Sequence, residues 1–124
     1  DRRKQIMNTY KFQKLEVYQL ALDYVKSIYA LNQQLPNQEK FNLGSQITRA
    51  ATTIVLNIAE GSTGQTDPEQ KRFLGMALRS YLETIACLDM IELLILLPSE
   101  TINPLRKQGH QLFIKLAAFR KALK

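Results

Sequence analysis

At 124 residues, with 45% hydrophobic and 23% charged side chains, the chain has the size and composition of one domain that buries a core without metal or disulfide staples. Its longest uncharged apolar run, Leu93 to Leu97, falls far short of the ~18–20 residues a membrane span needs. With one cysteine, Cys87, and a basic start, Asp1-Arg2-Arg3-Lys4, that no apolar signal segment follows, the reading is a reduced, cytoplasmic protein of net charge +6.

Turn signals at Leu35-Pro36-Asn37, Gly61-Ser62-Thr63-Gly64 and Pro98-Ser99 divide the chain into four helical segments. The first is predicted over about 14–34. Leu15, Tyr18, Leu22, Val25 and Tyr29 form one apolar stripe, and Val17, Ala21, Tyr24, Ile28 and Leu31 form a second beside it. The second segment is predicted over about 39–60, ending where Gly61 can take a left-handed cap. From Ala50 to Ala59 only two threonines and Asn57 are polar, so this helix lacks an ordinary wet side and must be covered on more than one flank. One cover is its own bundle and another is a neighbouring subunit. Ala51, Ile54, Val55, Asn57, Ile58 and Glu60 are therefore the candidate interface or structural residues.

Thr66 and Glu69 match a capping box, and Pro68 suits a first helical turn, so a third helix is predicted over about 67–97. Leu74, Leu78, Tyr81, Ile85, Leu88, Ile91 and Ile95 are its seam, and Gly75 marks a close approach of another helix or subunit. Asn103-Pro104 reads as a cap followed by a first-turn proline, which starts a fourth helix over about 104–123. Leu105, Leu112, Leu116, Phe119 and Leu123 form its apolar arc, and Arg106, His110, Arg120, Lys121 and Lys124 lie on the far side. Phe113, at the edge of that stripe, can stack on a base or close the edge of the core.

These elements predict an all-α, antiparallel up-down-up-down four-helix bundle. The charge is unevenly placed along it. Residues 1–14 carry five basic side chains against Asp1, residues 102–124 carry six against none, and the middle is net acidic. That asymmetry points to an anionic partner. The topology brings the start of helix 1, the helix 2–3 loop and the end of helix 4 to one end, where Lys11, Lys14, Lys71, Arg72, Arg120, Lys121 and Lys124 become neighbours. Lys71, Arg72, Arg79, Arg106, Lys115, Arg120 and Lys121 are the candidate phosphate contacts.

Catalytic apparatus is missing. A di-iron bundle needs two Glu-x-x-His pairs, and here Lys107 stands three residues before the one histidine, His110. Gly61-Ser62-Thr63-Gly64 lacks the lysine and spacing of a phosphate loop. Cys87 reads as a core filler. Asn57 and Glu60 read as partly buried structural hydrogen-bonding groups, with an enzyme built on Glu60 as a remote alternative. No cofactor, metal or catalytic residue is predicted.

Phe12-Gln13-Lys14-Leu15-Glu16-Val17-Tyr18-Gln19, Leu43-Gly44-Ser45-Gln46-Ile47-Thr48-Arg49-Ala50-Ala51 and Asn57-Ile58-Ala59-Glu60-Gly61 resemble successive signatures of one family. It is the four-helix-bundle family of the 23S rRNA intervening-sequence proteins. Gln70-Lys71-Arg72-Phe73-Leu74-Gly75-Met76-Ala77-Leu78-Arg79-Ser80 is similar to its third helix, so the resemblance runs from Phe12 to about Leu97. It implies a cytoplasmic bundle assembling as a ring-shaped homo-oligomer, commonly a pentamer. The family is similar to the accessory variability determinant protein of diversity-generating retroelements, which implies RNA or DNA binding through a basic surface and a reverse transcriptase as partner. Where the family often has serine-isoleucine-proline-serine, this chain has Thr53-Ile54-Val55-Leu56, which predicts a straighter second helix. The predicted function is thus a non-catalytic, homo-oligomeric nucleic-acid-binding protein. The alternative is a protein-interaction scaffold of a nucleoprotein complex that does not itself touch nucleic acid.

Overall fold

The structure, a computed structural model, describes residues 9–124; the basic stretch at residues 1–4 lies outside the described residues. A 3-10 turn, Lys11–Lys14, leads into α1 (Glu16–Gln34), a short α2 (Asn37–Lys40), α3 (Leu43–Gly61), α4 (Asp67–Leu93) and α5 (Ser99–Ala122). The fold is all-α with four long helices, and no strand occurs among the described residues. None of these helices is long and apolar enough to cross a membrane. The helices α1, α3, α4 and α5 each pack against two others, α3 and α5 both lying between α1 and α4.

Of the two apolar stripes of α1, the second is the core. Val17, Ala21, Tyr24, Ile28 and Leu31 are buried, while Tyr18, Leu22 and Val25 are half-buried and Tyr29 is exposed. They meet Ile47, Ala51, Ile54 and Ile58 of α3, Leu74, Ala77, Leu88 and Ile91 of α4, and Ile102, Leu112 and Leu116 of α5 in one cluster. Each fully buried leucine or isoleucine of this cluster contributes about 1.5–3 kcal/mol. The polar exception in the cluster is satisfied: the Tyr24 hydroxyl and Thr84 Oγ1 share a hydrogen bond of 2.8 Å, and Thr84 also donates to the Tyr81 carbonyl. Gly109 of α5 sits against the two tyrosine rings, and a Cβ there would lie 2.8 Å from Tyr81 and 2.9 Å from Tyr24.

Contacts between α4 and α5 step in opposite directions along the two helices. Asp67 meets Lys124, Lys71 meets Arg120, Tyr81 meets Phe113 and Glu92 meets Arg106. Between α1 and α5 the order is the same, from Glu16 with Lys115 to Tyr24 with Gly109.

Four predicted boundaries are corrected. The second segment is not one helix from 39: α2 stops at Lys40, Phe41 is 89% exposed, and α3 starts afresh at Leu43. The break lets Leu35 and Leu43 both reach the core. Gly61 is not a left-handed cap but the last residue of α3, where a Cβ would lie 2.6 Å from that of Phe73; the left-handed glycine is Gly64, at φ 98°. The third helix ends at Leu93, not Leu97, in a Schellman motif. There Leu96 N–H donates to the Ile91 carbonyl (3.0 Å) and Ile95 N–H to that of Glu92 (3.1 Å). Ile95, predicted in the seam, is instead 85% exposed at φ 55°, while the reversed chain buries Leu97. Finally, α5 begins at Ser99, and Pro104 lies inside it rather than at its start. Burial of Ile102, two residues before Pro104, anchors the earlier start and offsets the hydrogen bond that proline cannot donate.

The chain's own bundle leaves one flank of α3 uncovered. In the single chain Ser45, Arg49, Leu56 and Glu60 line an exposed flank, with Leu56 63% exposed. Thr48, Thr52 and Thr53 soften its polarity by donating their hydroxyls to carbonyls of the preceding turn.

Candidate functional site

One end of the molecule collects cations from separated parts of the chain. Arg120, near the end of α5, reaches across to α4 and donates from Nε to the Lys71 carbonyl at 3.0 Å. Gly75 makes this possible, since a Cβ there would lie 3.2 Å from that nitrogen. Gly75 thus marks the close approach of a side chain from the same chain. Lys124 N–H donates to Asp67 Oδ2 at 3.3 Å, tying the end of α5 to the first residue of α4. A cavity of about 320 Å³ links these elements to the 3-10 turn, with Lys11, Leu15, Ser62, Gln70 and Phe119 in its walls.

Of the predicted phosphate contacts, Lys71 and Arg120 meet here, with Lys11 in the cavity wall and Lys124 tied to Asp67; Arg72 and Lys121 follow Lys71 and Arg120 in the chain, and both are exposed. Arg72 is exposed, lies 4.6 Å over the Phe73 ring and pairs with Glu69 at 3.1 Å. Exposed ion pairs of this kind are worth about 0–1 kcal/mol, so a phosphate can compete for the guanidinium. Glu60 and Asp67 share this end, and both are exposed. The prediction of a partly buried Glu60 is corrected: it points to water at the last turn of α3, and its carbonyl accepts from Gln65 and Thr63.

The other predicted contacts lie elsewhere. Arg79 is exposed midway along α4, and Lys115 lies 3.6 Å from Glu16. Arg106, fourteen residues before Arg120, is displaced about 21 Å along α5. Its Nη2 sits 2.9 Å from Asp89 and 3.0 Å from Glu92. Burial alone would lower its pKa, but the hydrogen bonds to these carboxylates outweigh that and hold the guanidinium above its ordinary value. The far-side stripe of α5 is therefore interrupted, since α4 supplies the acids that claim Arg106.

Among the interface or structural candidates, Ala51, Ile54 and Ile58 are fully covered by the chain's own core. Val55 and Asn57 are half-buried, and Asn57 donates to the Thr53 carbonyl of its own helix rather than to a neighbour. Phe113 is half-buried against Tyr81, with His110 stacked on its outer side. Cys87 is buried in the core, and burial pushes its thiol up, away from reactivity. No grouping of His, Cys, Asp and Glu fit to hold a metal ion occurs among the described residues.

The residues that sequence reasoning passed over are polar and uncharged. Gln65 folds back into the α3–α4 connection: its amide donates to the Glu60 carbonyl and Thr63 Oγ1, and its oxygen accepts from Thr63 N–H. Gln70 donates to Ser62 Oγ at 2.9 Å. Phe119, assigned to the core by its periodicity, is only half-buried and lines the cavity. No spacing rule singles out a glutamine one turn into a helix, so only the folded chain reveals the pocket.

The family model of the 23S rRNA-intervening sequence proteins matches residues 13–118, from the 3-10 turn through most of α5. The chain belongs to that family. A solved structure similar to this one is that of a protein of unknown function from the S23 ribosomal protein family of Bacteroides thetaiotaomicron. The two agree with a TM-score of 0.79 at 24% identity, over 86% of this chain and 96% of that one. At this identity the likeness speaks for the fold. Comparison with curated proteins finds no match. The family match extends beyond the predicted Phe12–Leu97 resemblance to take in most of α5, ending two residues before Arg120.

Proposed function

We propose that this chain is a non-catalytic nucleic-acid-binding protein whose phosphate-contacting surface is the cationic end formed by the 3-10 turn, the start of α4 and the end of α5. The observation that carries the reading is that three distant segments meet at this end, one bearing Lys11, one Lys71 and Arg72, and one Arg120, Lys121 and Lys124. Such clustering is rewarded by counterion release when phosphates replace bound ions. A net charge of +6 adds long-range attraction for a polyanion.

In this reading the four long helices are an antiparallel up-down-up-down bundle, and copies associate in the cytoplasm as a ring-shaped homo-oligomer. Support for self-association is the exposed apolar set on α3 and α4, with Leu56 63%, Leu82 53% and Met90 42% exposed. Assembly repeats the cationic end in each copy and multiplies its pull on a polyanion. Light scattering at micromolar concentration tests this, and a strict monomer rejects it.

The binding test is a titration of the full chain against structured RNA and duplex DNA across a salt series. Affinity that falls steeply with salt is expected, and a flat response rejects phosphate-led binding. The ion pair at Glu69 and the carboxylates of Glu60 and Asp67 favour keeping a second reading. In it the same end docks on a protein of a nucleoprotein complex, such as a reverse transcriptase. A pull-down that survives nuclease treatment favours that reading over the first.

A further inference from the structure

Resting on the nucleic-acid reading above, we propose that the cavity between the 3-10 turn, the α3–α4 connection and the end of α5 receives one unpaired nucleobase, while lysines on its rim hold the flanking phosphates. At about 320 Å³ the cavity is at the small end of ligand sites, which run from about 300 to 1,000 Å³. It suits one heterocycle with its sugar better than an extended ligand.

Charge decides against a phosphate inside it. Its walls carry one cation, Lys11, and one carboxylate, Asp67, and are otherwise neutral. A phosphate placed there gains from the lysine and loses to the aspartate. A neutral base escapes that penalty, and its exocyclic amino group is a donor that Asp67 can accept. Leu15 and Phe119 give the cavity an apolar wall with an aromatic face for stacking.

The edge-reading group is Gln70. Its Nε2 spends one hydrogen on Ser62 Oγ, and its Oε1 accepts no hydrogen bond from the described residues. The amide therefore keeps an acceptor and a second N–H, the pair that a glutamine offers to a base edge. Gln65 cannot compete, because both its amide groups are occupied within the connection. Further cations adjoin the lining residues through the chain: Lys71 follows Gln70, Arg120 follows Phe119, and Lys124 is bonded through its backbone to Asp67. Base entry with phosphates outside requires a flexible single strand, since a paired and stacked base cannot leave its duplex without cost.

The test uses the full chain and fluorescence anisotropy with three probes: labelled oligoadenylate, an abasic strand of equal length and charge, and a duplex carrying the same adenylate strand. The base-bearing strand is expected to bind about tenfold or more tightly than the abasic one, the scale of stacking on one aromatic ring. Gln70→Leu and Phe119→Leu are expected to remove that preference and leave abasic binding unchanged, whereas Phe119→Tyr retains it. Thermal midpoints matching the unmodified chain show that the variants are folded. Equal affinity for base-bearing and abasic strands, or a preference for duplex, overturns the pocket and leaves phosphate-led binding standing. Failure of every probe to bind at low salt overturns both.

Discussion

Replacing Ile95 by glycine should stabilise the protein, although it deletes a large apolar side chain. Ile95 occupies the position after the cap of α4 that glycine normally takes, at φ 55°. For a residue with a Cβ the left-handed conformation costs roughly 1–2 kcal/mol, and a β-branched side chain is among the worst fitted to it. Because Ile95 is 85% exposed, its side chain returns little by burial. Glycine relieves the strain but gives the unfolded chain back roughly 0.5–1 kcal/mol of conformational freedom. The net gain is about 1 kcal/mol, which for a chain of this length corresponds to roughly 3–5 °C in thermal midpoint. Urea unfolding followed by circular dichroism should show a higher midpoint with an unchanged slope. Ile95→Asn should gain less, and Ile95→Ala least, because alanine keeps most of the backbone penalty. A lowered midpoint for Ile95→Gly, or a gain for Ile95→Ala as large as that for glycine, would refute the argument from backbone strain.

Gly109→Ala should be destabilising by about 1–2 kcal/mol: the new methyl collides with the Tyr24 and Tyr81 rings, and that overpacking outweighs the ~1 kcal/mol by which alanine is the better helix former. Chemical denaturation reads it directly, and a stabilised variant would show that the tyrosines yield. Burial pushes the Tyr24 phenol up to about 12, against the downward pull of its hydrogen bond with Thr84. The folded state therefore holds this proton where the unfolded chain has lost it, so the associated stability is complete below about pH 10 and drains away as pH rises toward 12. Between about pH 9 and about pH 11 the protein should lose about 1 kcal/mol more than its Tyr24→Phe variant does, and equal losses would contradict the assignment. Because Arg106 is claimed by Asp89 and Glu92, Arg106→Gln should cost about 1 kcal/mol of stability or less and leave nucleic-acid affinity as it was. An affinity loss matching that of Lys121→Gln would show that the guanidinium leaves its acids to meet phosphate.

The fold was legible wherever one periodicity dominated. The Val17, Ala21, Tyr24, Ile28 and Leu31 stripe is the buried face of α1, and Thr66 caps α4 where the capping pattern placed it. The connections were misread because tertiary packing overrides local signals there. Proline at position 104 looks like a helix start until the burial of Ile102 is known, and Gly61 looks like a cap until Phe73 is seen against it. Charge was legible as a total but only partly as a surface. Lys71 and Arg120 meet because Gly75 leaves room for the arginine, while Arg106 meets acids fourteen and seventeen residues earlier in the chain. No one-dimensional spacing encodes that pairing, and none encodes the amide of Gln70 facing a cavity shared by three segments.

The central claim is that the cationic end binds phosphates, and the salt dependence of binding by the unmodified chain and a Lys71→Gln, Lys121→Gln double variant tests it most directly. With single-stranded RNA, log affinity should fall linearly with log salt at about −0.7 per phosphate neutralised, and the double variant should show a slope shallower by roughly 1–1.5. Identical slopes and affinities for the two proteins, or a flat line for both, would contradict the account.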